Sequence, residues 1–216
     1  MPNSQGVKAA TLHTRRAGRP SPREAELKHE AMLEAALEEF ARAGFHGASI
    51  RAIAAKAGLS TRTLYNRYPD KAALFSACLE MSSLQIQYQL TDKPGTLYEQ
   101  LIHFTRLMQV RLNEDRHTRL ARVIFREAAS FPELKEISKA QFRRFQVGPV
   151  ARILEAHGFL PEQIEVLAES YVAMAFLKWQ TRVMYNEAPM TEQEVDAQLE
   201  YATQLFLKGA QVLQPD

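Results

Sequence analysis

The feature that most restricts the fold is punctuation. Between Ser21 and Asp70 the chain carries three runs of helical periodicity, each opened by a residue able to cap a helix and closed by Gly or Pro. The first opens on S-P-R-E, with Ser21 as cap, Pro22 at the first helical position and Glu24 placed to complete a capping box. Met32, Leu33, Ala36, Leu37 and Phe40 then recur on one face until Gly44. Ser49 opens the second run, Ile50 to Ala57, which stops at Gly58, and Ser60 opens a third that Pro69 closes. Two short helices joined by a glycine turn and backed by a longer one make a helix-turn-helix.

Asp70 starts a fourth helix through Leu74, Phe75 and Leu79, with a break near Asp92, Pro94 and Gly95. Helical stretches follow at about 96–112, 116–129, 132–157, 162–186 and 191–213. Pro149 either kinks the 132–157 stretch or splits it. No segment needs to be a strand, so the fold class is all-α. The expected division is a flexible basic arm over 1–20, a helix-turn-helix domain over 21–70, and a further helical domain over 71–216.

Charge is placed unevenly. Up to Lys71 there are 12 basic and 7 acidic residues, and after it 15 and 18. The first 23 residues carry Lys8, Arg15, Arg16, Arg19 and Arg23 with no acid, which suits a polyanionic partner. One cysteine, Cys78, excludes an internal disulfide and fits a reducing compartment, where it reads as core filler. With no secretory leader and no apolar run near the ~18 residues of a membrane span, the protein is expected to be cytoplasmic, without a membrane partner.

The third helix carries the chemistry. At 100° per residue, Leu64 and Tyr68 share one face and dock inward, while Thr61, Arg62, Tyr65 and Asn66 spread over the other. Arg can fork onto guanine, Asn can pair with adenine, and Thr offers a hydroxyl or methyl contact. Tyr65, Arg67 and Lys71 suit phosphate oxygens, which set register without reading sequence. Arg62 is the leading base reader, with a phosphate contact as its alternative. A solvated surface helix accounts for the same stretch when it is taken alone.

From Met32 to Phe75 the sequence resembles the DNA-binding domain of the TetR family of bacterial transcriptional regulators. The resemblance is carried by A-A-L-E-E-F-A-R-A-G-F, S-I-R-A-I-A-A-K-A-G-L-S and T-L-Y-N-R-Y-P-D-K-A-A-L-F. It implies that Ser49 and Tyr65 face phosphates, that Ser60, Thr61, Arg62 and Thr63 begin the base-facing segment, and that Lys71 anchors the next helix to the DNA backbone. Many relatives have a small residue where this chain has Arg62, and an aromatic or histidine at Asn66 and Arg67, so the operator is expected to be its own. The Gly-Arg-Pro around Arg19 resembles a minor-groove hook; the other reading is an arm that only adds positive charge.

The resemblance further implies a homodimer on a near-palindromic double-stranded operator and a small-molecule effector that releases it. Leu167, Tyr171, Ala175, Leu199, Ala202 and Phe206 are the expected dimer contacts, on the last two helices. Tyr88, His103, Phe104, Met108, Phe125, Met174 and Trp179 are the expected pocket lining, with Arg126 and Glu127 as polar contacts; core packing explains most of these equally well. The run F-R-E-A-A-S-F-P-E-L, 125–134, resembles the AefR-like subgroup of the family. No catalytic residues, metal or cofactor are expected, because the six histidines follow no ligand spacing and no phosphate loop or nucleophile motif occurs. The alternative function is an all-α small-molecule carrier or interaction protein that does not bind DNA.

Overall fold

The computed structural model describes residues 21–90 and 94–210, with the side chains of 82–90 left aside. Helices account for all regular structure among these residues: α1 (Pro22–Gly47), α2 (Ile50–Lys56), α3 (Thr61–Arg67), α4 (Lys71–Leu90), α5 (Leu97–Leu112), α6 (Asp115–Glu127), α7 (Pro132–Phe142), a π-helical stretch (Arg143–Val147), α8 (Gly148–Ala156), α9 (Pro161–Met184) and α10 (Glu192–Ala210).

Local chemistry sets the ends. The capping box forms at Ser21, whose amide donates to Glu24 Oε2 at 2.8 Å while its hydroxyl accepts from the Glu24 amide at 3.2 Å. Gly58, at φ 65°, ends α2 in a Schellman motif: the Leu59 amide donates to Ala54 O at 2.9 Å and the Gly58 amide to Ala55 O at 3.2 Å. Gly44 breaks α1 at φ 76°, ψ 174°, a backbone region that is nearly glycine's alone. The stretch over 132–157, expected to be kinked or split at Pro149, is three pieces: the helix widens to π pitch over Arg143–Val147, which places Pro149 in the first turn of α8, where its missing amide hydrogen leaves no bond unmade.

Two hydrophobic clusters hold the chain. The N-terminal one joins Met32, Leu33, Leu37 and Phe40 of α1, Ile53 of α2, Leu64 of α3 and Leu74, Phe75 and Cys78 of α4 to Leu120 and Val123 of α6 and Leu134 of α7. Its packing therefore crosses the boundary expected at residue 70. Burial drives the Cys78 thiol well above its usual range and keeps it an inert core atom. The second cluster packs α5 and α8 against α9 and α10. Inside it the Tyr171 hydroxyl links Thr203 Oγ1 at 2.8 Å and Thr105 Oγ1 at 3.3 Å, and burial pushes the phenol up to about 12.

Candidate functional site

The surface around α3 is built from supports upward. Leu64 is buried in the N-terminal cluster. Tyr68 stacks on His29 of α1, ring centroids 6.3 Å apart, with its hydroxyl 3.4 Å from His29 Nε2. The Ser60 hydroxyl caps α3 by accepting from the Thr63 amide at 3.0 Å and also pairs with the Thr63 hydroxyl at 2.8 Å. With those anchors set, Arg62, Thr63, Tyr65, Asn66 and Arg67 are exposed and Thr61 is half-buried. Tyr65, 52% exposed, is a large aromatic left facing solvent.

The junction of α1 and α2 is held from several sides. Buried Glu39 takes a bidentate ion pair from Arg42 and accepts from the Ser49 amide at 3.2 Å, while the Ser49 hydroxyl caps α2 through Ala52 at 3.4 Å. Lys71 donates to His46 O at 2.7 Å and lies over the Phe45 ring, 5.2 Å from its centroid. This ties α4 to the end of α1 and leaves Lys71 half-buried instead of free on the surface. From the other side Phe131 stacks on His46, and Glu127 Oε2 accepts from the His46 amide at 3.0 Å. Arg51, on the first turn of α2, is exposed and without an ion pair among the described residues. Sequence reading passed over it, although its place two residues after the Ser49 cap was visible. Arg19 lies outside the described residues.

A cavity of about 220 Å³ lies between α4, α5, α6, α7, the π-helical stretch and α9. Of the expected lining, Met108, Phe125 and Trp179 are in its wall. The others go elsewhere. Phe104 is fully buried in the C-terminal core, Met174 packs against that core, and His103 borders an outer groove with Pro94 and Tyr98. The Tyr88 side chain is outside the described ones. Arg126 and Glu127 pair with each other at 2.7 Å beside Gly44, so they serve the α1 break and not the cavity. Missed by sequence reading were His117, Leu120, Gln141, Phe142 and Phe145. His117 sits in D-R-H-T-R, which reads as a solvated face; only the three-dimensional packing turns it inward. Burial drives the His117 imidazole down to about 4 against the opposing pull of the Glu114 carboxylate, so the ring is neutral at physiological pH.

The expected dimer contacts need correction. Leu167, Tyr171, Ala175, Leu199, Ala202 and Phe206 are all buried inside the single subunit, where α9 and α10 close over α5 and α8, and are not available to a partner. The outward apolar residues on the same helices are different ones: Val166, Ala173, Leu177 and Met184 on α9 and Tyr201 and Leu205 on α10. Their helical spacing makes a stripe on each helix.

Comparison with known proteins places this architecture. Residues 32–78 match the model of the bacterial regulatory proteins of the tetR family. The HTH-type transcriptional regulator AcrR of Shigella flexneri is 29% identical over 131 residues, 57% of this chain and 60% of that protein, so the chain spans well under two thirds of this relative. Over 52 residues, 24% of each chain, identity to the HTH-type transcriptional regulator RutR of Escherichia coli K12 reaches 44%. A TetR family transcriptional regulator from Pseudomonas syringae pv. tomato superposes with a TM-score of 0.66 at 26% identity, covering 85% of this chain and 96% of the other. The matched N-terminal helices and this near full-length likeness agree: residues 32–78 carry the N-terminal domain of the tetR family of bacterial regulatory proteins, on a fold shared with a TetR family regulator.

Proposed function

We propose that the chain is a homodimeric, cytoplasmic, DNA-binding transcriptional regulator that leaves a near-palindromic operator when a small molecule fills the cavity beside α6. The observation that carries this reading is the α3 surface: Arg62, Tyr65, Asn66 and Arg67 face solvent together on a helix whose other side is locked by Leu64 and Tyr68. A surface of guanidinium, amide and phenol groups is matched to base edges and phosphates in a major groove. Arg62 and Asn66 read bases; Tyr65, Arg67 and Ser49 take phosphates, joined by Arg51; Lys71 orients the α1–α2 junction through His46 O and Ala48 O and has one ammonium hydrogen left for a phosphate. The relatives named as transcriptional regulators support the same activity.

The outward stripes on α9 and α10 support a two-fold pairing that would set two reading heads on successive grooves. Helix α6 supports the ligand response, because Leu120 and Val123 pack in the N-terminal cluster while Ala121 and Ile124 face the cavity. Any ligand that favours one position of α6 shifts the placement of the DNA-binding helices. The cavity alone would serve a carrier as well, but a carrier gives the exposed Arg62, Asn66 and Arg67 of α3 nothing to bind, which favours DNA.

The test is selection of bound fragments from genomic DNA, followed by anisotropy titrations across salt. Affinity should fall with a log–log slope near −0.9 per phosphate neutralised, and protection should cover half-sites about 34–36 Å apart. A protein that stays monomeric and binds no duplex at low salt would refute the reading.

A further inference from the structure

The cavity beside α6 has an unusual polar complement. Among the described residues, none of its lining side chains is Lys, Arg, Asp or Glu. Oε1 of Gln141 is buried without a hydrogen-bond partner among the described residues, and the His117 ring, which bonds the Arg111 backbone through one nitrogen, keeps its other buried nitrogen unpaired; both residues are in the cavity wall. The His117 side chain is only 10% exposed, and its closest charged neighbour, Glu114 at 3.5 Å, is already held by Arg111 and Arg116. Gln141 is oriented from behind: Nε2 lies 3.4 Å from Ser76 Oγ and 3.4 Å from Glu80 Oε1, and since a carboxylate only accepts, the amide nitrogen must face Glu80 and the oxygen is left over. Glu80 in turn is paired with Arg144 at 3.6 Å. The rest of the described wall is mostly apolar, with the rings of Phe125, Phe142, Phe145 and Trp179, and its other polar side chains, Ser138, Gln146 and Gln180, are uncharged.

The geometry points to an uncharged, compact aromatic effector bearing one hydroxyl group, which His117 and Gln141 recognise together. This rests on the reading of the cavity as the effector site. The neutral imidazole keeps its hydrogen on the side of the Arg111 carbonyl and Glu114, so the wall offers two acceptors, the remaining imidazole lone pair and the Gln141 carbonyl oxygen, and a hydroxyl hydrogen complements them. Buried polar atoms left unpaired are unfavourable, so a ligand that satisfies them gains selectivity over one that does not. A carboxylate or ammonium ligand would lose its hydration with no counter-charge in the wall. At about 220 Å³ the cavity is below the ~300 Å³ at which drug-sized pockets begin, so the ring system is small.

Trp179 is the only tryptophan in the chain and lines the cavity, so its emission reports occupancy without DNA present. Four probes of matched shape separate the possibilities: para-tert-butylphenol, tert-butylbenzene, para-tert-butylbenzoate and para-tert-butylbenzylammonium. In the full-length protein near neutral pH the phenol should bind at least about tenfold more tightly than either ion. His117→Phe and, independently, Gln141→Leu should each weaken phenol binding about tenfold while leaving tert-butylbenzene unchanged, which also shows that the variant cavity is intact. The inference is overturned if either ion matches the phenol, if neither variant separates phenol from tert-butylbenzene, or if no probe changes Trp179 emission. Operator binding measured on the same samples keeps the two ideas apart. Loss of the ligand result with DNA binding present removes only the effector class, whereas absence of DNA binding removes the regulator reading.

Discussion

Replacing Gly44 by alanine tests how the first helix is joined to the rest. At φ 76° and ψ 174° a β-carbon is disfavoured by the backbone alone, which costs about 1–3 kcal/mol. The added carbon would also stand 2.2 Å from Glu127 Oε1 and 2.9 Å from Arg126 Nη2, so the carboxylate must move. Moving it loosens its bond to the His46 amide, a charge-assisted contact worth about 1.5 kcal/mol or more. Together these make about 3 kcal/mol or above, a large share of the 5–15 kcal/mol typical of a folded protein. Urea unfolding at fixed protein concentration reads the loss as a drop in midpoint with the slope unchanged. The cycle with Glu127→Ala divides it: in that background Gly44→Ala should lose only the backbone part, about 1–3 kcal/mol, because the clash has gone. A loss under about 0.5 kcal/mol, or equal losses in both backgrounds, would show that Glu127 does not grip the α1 break.

Further expectations follow from the same geometry. Arg62→Ala should relax preference at one operator position by about 1–3 kcal/mol, whereas Arg51→Ala should weaken operator and random duplex alike and lower the salt slope by about one phosphate; anisotropy with both duplexes distinguishes them. Leu177→Arg, on the outward stripe of α9, should shift sedimentation toward monomer with little change in subunit folding, since that side chain is 56% exposed. His117 is neutral when folded, at about 4, but ordinary at 6.5 when unfolded, so the unfolded chain takes up its proton first. Its contribution is therefore fully present above about pH 6.5 and is lost as pH falls toward 4, amounting to about 1.5 kcal/mol between pH 6.5 and 5. Glu114 and Glu127, both held below 4.5, act mainly beneath that window, whereas His29, also lowered by burial, acts inside it, so His117→Phe should reduce the change in urea midpoint across the window and leave the part due to His29.

Much of the N-terminal part was legible because its signals are local. Ser21 with Glu24, Gly58 and Ser60 each act on residues a few positions away, and the structure uses them as caps and turns. The C-terminal part depends on which of two apolar faces turns inward. On α9 the series Leu167, Tyr171, Ala175 and the series Val166, Ala173, Leu177 are both apolar at helical spacing, and only the positions of α5, α8 and α10 decide that the first is buried. Periodicity also assumes a constant pitch, which the π-helical stretch at 143–147 breaks just where Phe145 turns toward the cavity. The pairing of Glu127 with the α1 break was beyond reach for a different reason: the partners are 81 residues apart in the chain.

Helix α6 belongs to both interiors at once, supplying Leu120 and Val123 to one and a wall of the cavity to the other. It also reaches α1 through Arg116 and Glu34, 2.6 Å apart. The two hydrophobic clusters are consequently not interchangeable modules. A chimera that grafts a foreign operator-binding segment onto this chain must import the matching inner face of α6 with it, or it will inherit a misfitted seam between the halves.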